Sequence, residues 1–473
     1  MDVISGKILK LNHWPDGKVI GLAKAVAAEL ARQGIAREAI LSRLDAVRIN
    51  PGLFLADPLM ANLARECLRL TSAPVDGVDE MRDAPLPYRI WGRESIDQTS
   101  LAQMDHAMRL PVSVAGALMP DAHVGYGLPI GGVLATDNAV IPYAVGVDIA
   151  CRMRLSVFDV SPYVLGQKKG LFENALLNQT AFGMGAEWKG RDKPDHEVLD
   201  DPAWKATRLL VSLQDTAARQ LGTSGTGNHF VEWGLFSLNE PLLGLQTGQY
   251  LALLSHSGWR GVGFKIADLY SKLAMDRHPD LDKRIRHLAW LSLDSEEGQE
   301  YWLSMELAGR FAAASHFIIH RRVAEAVGLK EVLVVENHHN FAWRQNLPDG
   351  RSVIVHRKGA TPAGKGMLGV IPGSMGDPGY LVRGLGVSES LDSASHGAGR
   401  LLSRKSALDS ISRSARDAYL KERGVTLLGG GLDESPQAYK PIDQVIASQQ
   451  DLVEVLGKFS PRIVRMADAP GEY

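Results

Sequence analysis

Cysteine is scarce in this sequence, and its scarcity excludes one class of fold. Only two cysteines, Cys67 and Cys151, occur among 473 residues, which is too few for the disulfide framework of a small secreted protein. We therefore expect a reducing, cytoplasmic setting in which a thiolate is free to bind metal. Cys67 lies in a helical pattern and is predicted to be an ordinary buried residue, because free cysteine packs like a small hydrophobic side chain.

Long apolar runs and a strong net charge are also missing. The most apolar stretches, around 25–30 and 311–319, are interrupted by charge or histidine before they reach membrane-spanning length. The N-terminus shows no positively charged, apolar leader, so we predict no membrane association. The net charge of −2 gives no overall sign of nucleic-acid binding, but residues 351–405 contain eight Lys or Arg against three Asp or Glu, and eleven glycines. That composition suits either phosphate binding or a solvated loop face.

Histidine, by contrast, is plentiful and concentrated in glycine-rich segments. Several of the fourteen histidines stand beside asparagine, glycine or a second histidine, among them His229, His256, His339 and His396. A carboxylate and a thiol occur together in the segment 145–151. Carboxylate, thiolate and imidazole form a mixed ligand set that suits zinc, manganese, iron or cobalt better than magnesium or calcium. Metal-dependent catalysis is therefore the first hypothesis.

Apolar periodicity predicts alternating helices and strands without internal repeats. Helices are predicted at 18–34, 37–47, 206–221 and 296–326, the last ended by Gly328. Strands are predicted at 112–118, 132–135, 154–158, 251–255, 332–335 and 352–356. The candidate ligands fall near the ends of these strands, where rigid elements present side chains into loops.

Three further histidines, by contrast, are not predicted to bind metal. His316 and His320 are four residues apart on the predicted long helix, which is a metal-ligand spacing, but their neighbours are aromatic and aliphatic, so we predict interior positions. His338 is predicted to point away from its neighbour His339, because successive side chains alternate along an extended segment.

Ten segments, in order, resemble the RtcB family of RNA-splicing ligases. They are MPDAHVGYGLPIGGV from Met119, VGVDIACRM from Val145, GTGNHFVE from Gly225, HSGWRGVG from His256, NHHNFAW from Asn337, HRKGATPAGKG from His356, IPGSMG from Ile371, VRGLG from Val382, SHGAGRLLSR from Ser395 and DESPQAYKPIDQVI from Asp433. Together they span roughly 85–465. The resemblance implies an α+β fold with one large catalytic domain, residues 85–473, of mixed β-sheets flanked by helices. Residues 1–84 are expected to form a helical N-terminal region packed on that domain.

The resemblance also implies a GTP-dependent RNA ligase that uses two manganese ions. Such enzymes join an RNA 3′-phosphate or 2′,3′-cyclic phosphate end to a 5′-hydroxyl end, in tRNA splicing or RNA repair, and an archease-type activator is a further candidate partner. Carried over by position, Cys151 would bridge the two metals. Asp148 and His229 would complete the protein ligands of one metal, and His256 and His339 those of the other.

His396 would be the nucleophile that takes GMP as a covalent phosphoramidate, since imidazole is both a good nucleophile and a good leaving group. The nucleotide-binding residues implied are Asn228, Phe230, Glu232, Asn340, Ser374, Gly397, Ala398, Gly399, Arg400 and Tyr439. Asp121 is the candidate for orienting the RNA end. For the polar and aromatic members of this set and for Asp121, a purely structural role is an equally open alternative.

Three positions depart from the family pattern. Arg152 follows the cysteine where small residues are common, and its guanidinium would either lower the pKa of the thiol or crowd the metal. Thr226 interrupts a run that is usually all glycine. Met466 stands where the family commonly supplies a lysine that helps to bind guanine, which predicts weaker selection of GTP.

Two functions are therefore compared. The first is the RNA ligase described above. The second is a relative that binds RNA ends or hydrolyses phosphate, with altered nucleotide use and no ligation. The His396 segment favours the ligase, because RNA binding alone does not require a histidine in a Gly-Ala-Gly-Arg loop alongside a full set of metal ligands.

Overall fold

The computed structural model describes residues 4–15, 17–72, 80–183, 185–258 and 260–468. Within these ranges helices alternate with mixed β-sheets, so the α+β fold class is confirmed. None of the helices described there has both the length and the apolar character needed to cross a membrane.

Four helices make up the N-terminal region. They are α1 (Gly6–Leu11), α2 (Lys18–Arg32), α3 (Arg37–Ile49) and α4 (Ala61–Ser72). Their apolar faces enclose a core that runs from Ile4 to the buried Cys67. An exposed ion pair, Lys10 to Glu296 at 3.0 Å, links this region to the long helix described below. Residues 73–79 lie outside the described ranges, and a domain boundary near residue 84 stays a prediction.

The rest of the chain interleaves helices and strands. The helices are α5 (Gln98–Met108), α6 (Pro142–Val145), α7 (Val164–Gln167), α8 (Lys169–Gln179), α9 (Arg208–Gln220), α10 (Arg260–Arg277), α11 (Glu296–Ala326), α12 (Arg404–Ser410), α13 (Arg413–Glu422) and α14 (Ile442–Ala447). The strands are β1 (Arg89–Ile90), β2 (Ser113–His123), β3 (Ile130–Thr136), β4 (Ala139–Val140), β5 (Arg152–Phe158), β6 (Phe230–Leu238), β7 (Gly248–Ser257), β8 (Leu291–Ser292), β9 (Glu331–His338), β10 (Phe341–Asn346), β11 (Ser352–Lys358), β12 (Ala360–Pro362), β13 (Leu368–Ile371), β14 (Gly379–Gly384), β15 (Ser393–Ser395), β16 (Thr426–Leu428) and β17 (Val453–Met466).

Local sequence signals mark both ends of helix α11. The Ser295 hydroxyl caps its first turn by accepting a hydrogen bond from the Gly298 amide at 3.0 Å, and Glu296 and Glu297 place negative charge at the positive end of the helix dipole. After the helix ends, Gly328 takes a left-handed backbone with φ +71°. Its predicted span, 296–326, is confirmed.

The larger sheet has the strand order β13-β14-β17-β6-β7-β5-β9, and β16 also pairs with β17. In the run β6-β7-β5-β9, each strand is antiparallel to its neighbours. The starts of β5 and β6 and the ends of β7 and β9 therefore meet at one edge. A second sheet has the strand order β1-β2-β3-β11-β10. The predicted metal ligands all lie at or beside the edge where β5, β6, β7 and β9 meet.

Candidate metal and nucleotide site

Four buried side chains converge at this edge of the larger sheet. Cys151 precedes β5, His229 precedes β6, His256 is the penultimate residue of β7 and His339 follows β9. Each of the four is at most 5% exposed. The strand register explains the convergence, because Met153 and Phe230 both pair with His256 on neighbouring strands.

The ligand atoms form a continuous series with the thiol at its centre. Cys151 Sγ lies 3.5 Å from His229 Nε2 and 3.1 Å from His256 Nε2. On one side, His229 Nε2 lies 2.9 Å from Asp148 Oδ2. On the other, His256 Nε2 lies 3.2 Å from His339 Nε2. The thiol therefore separates an Asp148–His229 pair from a His256–His339 pair.

The protonation of the imidazoles suits metal binding. His256 Nδ1 donates to the Asn228 carbonyl at 3.1 Å, which turns the lone pair of its Nε2 toward the thiol. Burial, reinforced by the neighbouring His229, lowers the pKa of His256 well below its usual value, and burial does the same to His339. Neutral imidazoles beside a buried thiol and carboxylate are a suitable donor set for a divalent metal, and the donors of Cys151, His229 and His256 lie within 4.8 Å of one another.

The loops that carry these ligands are bonded to each other through unusual backbone conformations. Ala150 (φ +57°) and Asn340 (φ +58°) are both left-handed although neither is glycine, and the Ala150 amide donates to the Asn340 carbonyl at 2.9 Å. The Asn340 side chain donates to the Asp148 carbonyl and accepts from the Gly359 amide. Such conformations cost about 1–3 kcal/mol each and persist only where surrounding contacts enforce them. Asn340, assigned above to phosphate, thus has backbone partners at both ends of its amide.

His396 is held by a buried carboxylate. Asp121 Oδ2 accepts from the His396 ring Nδ1 at 2.7 Å and from the His396 backbone amide at 3.1 Å. The carboxylate fixes the ring hydrogen on Nδ1 and leaves a lone pair on Nε2. Burial alone would raise the pKa of Asp121, but the hydrogen bond and charge of His396 lower it below its usual value. The glycine at 399 is required here, since a Cβ on it would lie 2.1 Å from the Asp121 carbonyl oxygen.

One cavity of about 1130 Å³ joins the metal ligands to His396. Its walls include Asp148, Cys151, His256, His339 and His396, and the His339 and His396 rings lie 4.8 Å apart between centroids. The walls also include most of the proposed nucleotide set: Asn228, Phe230, Asn340, Ser374, Gly397, Ala398, Gly399, Arg400 and Tyr439. Asp121, His229 and Glu232 are buried and lie behind the residues that line the cavity.

Arg400 belongs to a polar cluster at the edge of the cavity. Its guanidinium donates to Glu434 Oε2 at 3.0 Å, to the Tyr439 hydroxyl at 3.1 Å and to the Asp433 carbonyl at 2.6 Å. Tyr439 donates to Glu434 and lies beneath the Arg400 guanidinium, which is 5.0 Å from its ring centroid. Arg404 pairs with the same buried Glu434. Sequence reasoning missed Glu434 and Arg404, although both lie in or beside quoted motifs.

Met466 occupies the position at which the family resemblance implies a lysine that helps to bind guanine. Met466 lines the cavity and is 3% exposed, and it pairs with Phe230 across β17 and β6. Glu232 is buried, which raises its pKa well above the usual value, and its Oε2 has no hydrogen-bond partner in the described part of the chain. Arg465 points away from the cavity, where it binds Asp468 at 2.9 Å.

Arg152 neither crowds the metal ligands nor faces the thiol. Side chains alternate at the start of β5, so Arg152 points away from Cys151. It donates to the Gly309 carbonyl at 3.2 Å and pairs with Glu336 at 3.6 Å. This orientation argues against crowding of the metal ligands by the Arg152 side chain. His338 also points away from the site, with its ring against Phe341 and Trp343.

The amino-acid sequence also matches a known protein family. The family model for tRNA-splicing ligase RtcB matches residues 103–467. The chain belongs to the RtcB family. It is 32% identical to RNA-splicing ligase RtcB of Escherichia coli K12 over 404 residues, which cover 78% of this chain and 95% of that protein. It is 30% identical to tRNA-splicing ligase RtcB of Nanoarchaeum equitans over 452 residues, covering 80% and 94% respectively.

Within this RtcB fold, two further cavity residues were not assigned roles from the sequence. Lys358 is 7% exposed, burial lowers its pKa to about 7, and its ammonium donates to the Tyr126 carbonyl. His123 donates from Nδ1 to the Asp121 carbonyl at 3.0 Å, and burial lowers its pKa to about 4. Both lie inside motifs that carry the family resemblance, but burial beside the cavity is a tertiary property that no local pattern reveals.

Proposed function

We propose that this protein is an RNA ligase that forms a covalent histidine–GMP intermediate. The observation that supports this most is the position of His396. Its ring is oriented by Asp121 and leaves Nε2 with a lone pair, in the same cavity as the thiol, carboxylate and imidazoles. A histidine with a fixed ring orientation and a lone pair on Nε2, close to a cluster of metal ligands, suits nucleophilic attack on a phosphoryl group.

The donors Asp148, Cys151, His229, His256 and His339 are proposed to hold two manganese ions, with Cys151 as the shared ligand. When bound, the ions would supply Lewis-acid stabilisation of phosphate oxygens. The central place of the thiol, between the Asp148–His229 pair and the His256–His339 pair, supports this division of ligands. A thiolate also favours metals softer than magnesium.

His396 Nε2 is proposed to attack the α-phosphorus of GTP, forming the nitrogen–phosphorus bond as pyrophosphate leaves. Asp121 keeps the hydrogen on Nδ1 and stabilises the positive charge that develops on the ring. Residues 397–399 and the Ser374 turn line the same cavity and are proposed to contact phosphate, with Asn228 and the Arg400–Glu434–Tyr439 cluster beside them. Phe230 and Glu232 are proposed to contact the guanine.

The substrates are proposed to be an RNA with a 3′-phosphate or 2′,3′-cyclic phosphate end and an RNA with a 5′-hydroxyl end, in tRNA splicing or RNA repair. Water would first open a cyclic end to the 3′-phosphate, GMP would then pass from His396 to the 3′-phosphate, and the 5′-hydroxyl would attack that phosphate and release GMP. The names of the relatives, RNA-splicing ligase and tRNA-splicing ligase, support RNA as the substrate. An archease-type activator is retained as a candidate partner.

The test is the joining of two defined RNA fragments. One fragment ends in a 3′-phosphate and the other begins with a 5′-hydroxyl, and both are incubated with the protein, manganese and GTP. We expect a joined product from the wild type and none from His396→Ala. Release of phosphate, or RNA binding without a joined product, would instead support the second function, a relative with altered nucleotide use. The feature that favours this second function is Met466 at the position of the family's lysine.

A further inference from the structure

A buried polar chain lies beneath β7, on the face opposite His256. Ser255 and Ser257 flank His256, and side-chain alternation turns both of them toward α11. There they meet His316 and His320, and all four residues are at most 1% exposed. The two histidines have a metal-ligand spacing, but each of their four ring nitrogens contacts an oxygen of the protein.

Three contacts connect β7 to the helix. His316 Nε2 lies 3.0 Å from the Ser257 carbonyl oxygen, and His316 Nδ1 lies 2.8 Å from Ser255 Oγ. His320 Nε2 lies 2.7 Å from the same Ser255 Oγ. The Ser255 hydroxyl therefore stands between two imidazole rings.

Two more contacts carry the chain to β5 and β9. His320 Nδ1 lies 2.7 Å from Ser156 Oγ, and Ser156 is hydrogen-bonded in turn to Glu331 Oε1. Arg154 also donates to both Glu331 oxygens, at 3.1 and 3.3 Å. The chain therefore ends at a carboxylate paired with a guanidinium, and a carboxylate can only accept hydrogen bonds.

Counting hydrogens shows that the neutral chain is one short. The five contacts run from a carbonyl, which only accepts, to a carboxylate, which also only accepts, so each contact needs its own hydrogen. Two neutral imidazoles and two hydroxyls supply one hydrogen each, which makes four. A neutral chain would leave one contact as two facing lone pairs among fully buried groups, where unmade hydrogen bonds are most costly.

We propose that this chain holds one additional proton at neutral pH, carried by His320 as an imidazolium opposite the Glu331 carboxylate. His320 Nδ1 lies 3.9 Å from Glu331 Oε1, whereas no carboxylate contacts His316 in the described residues. With this proton, all five contacts are complete. They connect α11 to β5, which follows Cys151, and to β7, which contains His256.

Some charged groups around the hydrogen-bond chain favour the additional proton, and others oppose it. Arg152 and Arg154 face it from β5, and His229 lies near it from the segment before β6. Glu331 and Glu336 approach from β9, where both pair with Arg154. Burial, followed by Arg154, lowers the pKa of His320. The hydrogen-bond chain and Glu331 must hold the proton against these effects, so the protonation state is a measurable outcome of the competition.

The direct test is NMR of the full-length protein labelled with ¹⁵N-histidine and loaded with diamagnetic zinc. We expect one buried ring to have both nitrogens protonated at pH 7.5. Ser156→Ala removes two contacts and leaves three contacts for three hydrogens, so its imidazolium signal should vanish. Glu331→Gln should have the same effect, because its amide can donate the missing hydrogen. Ser212→Ala, at an exposed serine bonded to a helix carbonyl, is the matched control.

Two outcomes would overturn the proposal: both buried rings neutral in the wild type, or an imidazolium that persists in Glu331→Gln. Glu331→Gln preserves shape and carries the test if Ser156→Ala fails to fold. Thermal unfolding gives a second readout. A native state that binds an additional proton is stabilised most below the ordinary histidine pKa of about 6.5 and loses that stability as pH rises through the folded pKa. From pH 7 to 9 the wild type should therefore lose stability relative to Glu331→Gln. Parallel curves would contradict the inference, which does not depend on the proposed RNA ligase activity.

Discussion

Replacing Asp121 by asparagine separates the orientation of His396 from the metal site. The substitution keeps the size of the side chain and removes its charge. In the wild type, Oδ2 accepts three hydrogen bonds: from the His396 ring at 2.7 Å, from the His396 amide at 3.1 Å and from the Gly397 amide at 3.3 Å. The ring bond matters most, because it fixes which nitrogen carries the hydrogen.

The expected magnitude follows from the loss of charge. A hydrogen bond to a charged group contributes about 1.5–3 kcal/mol, against about 0.5–1.5 kcal/mol between neutral groups. The difference, roughly 1–1.5 kcal/mol, corresponds to about a tenfold slower attack, since 1.4 kcal/mol is a factor of ten. Asp121→Ala removes the acceptor entirely and should slow the reaction about a hundredfold or more.

The assay is the rate of covalent GMP attachment, with bound metal measured in parallel. Asp268→Asn, an exposed carboxylate paired with Lys272 on α10, is the control and should behave as wild type. Adduct formation by Asp121→Asn at the wild-type rate would refute the orienting role. Loss of metal from Asp121→Asn would show that the carboxylate acts through the ligand cluster instead.

Three further predictions concern other parts of the same cavity. Cys151→Ala should lower bound metal more than His256→Ala, because a shared ligand serves both ions; equal metal content by elemental analysis would refute the bridging role. Met466→Lys should place a cation near Glu232, whose Oε2 has no hydrogen-bond partner in the described residues, and strengthen GTP-dependent adduct formation by at most about 1.5–3 kcal/mol. The measurement is competition between GTP and ATP for adduct formation. A strict preference for GTP in the wild type that the substitution leaves unchanged would show that guanine is recognised without this position. Burial lowers the pKa of Lys358 to about 7 in the folded protein, so between about pH 7 and pH 10 the unfolded chain binds more protons than the folded chain. The free energy of unfolding of the wild type should therefore rise with pH over that range relative to Lys358→Met, by about 1.4 kcal/mol per pH unit at most. Parallel unfolding curves for those two proteins would show that Lys358 keeps its charge when buried.

The sequence predicted the elements with strong local signals. Helix α11 was predicted with its observed bounds because a serine cap and a following glycine mark its two ends. The strands with dense Val, Ile and Leu were also recognised. Strands β6 and β17 were not predicted, although they carry Phe230 and Met466, because their pattern is mixed and their pairing joins residues more than two hundred positions apart.

The candidate site was predicted from motifs, and the structure adds what motifs do not contain. The ligand residues were named from the resemblance, but the order of their contacts, with Cys151 between two pairs, depends on the register of four strands. The orientation of Arg152 and the contact between Asp121 and His396 are likewise tertiary. The hydrogen-bond chain through His316 and His320 needed coordinates, because the sequence supports only their interior position.

The central claim is that His396 carries GMP, and intact-protein mass spectrometry tests it most directly. The wild type is incubated with manganese and GTP, and the adduct is located by peptide mapping beside His396→Ala. The account predicts a mass increase of one GMP on the wild type, mapped to His396, and no increase on the variant, which should retain its metal. No adduct on a metal-loaded wild type, or an equal adduct on His396→Ala, would contradict it.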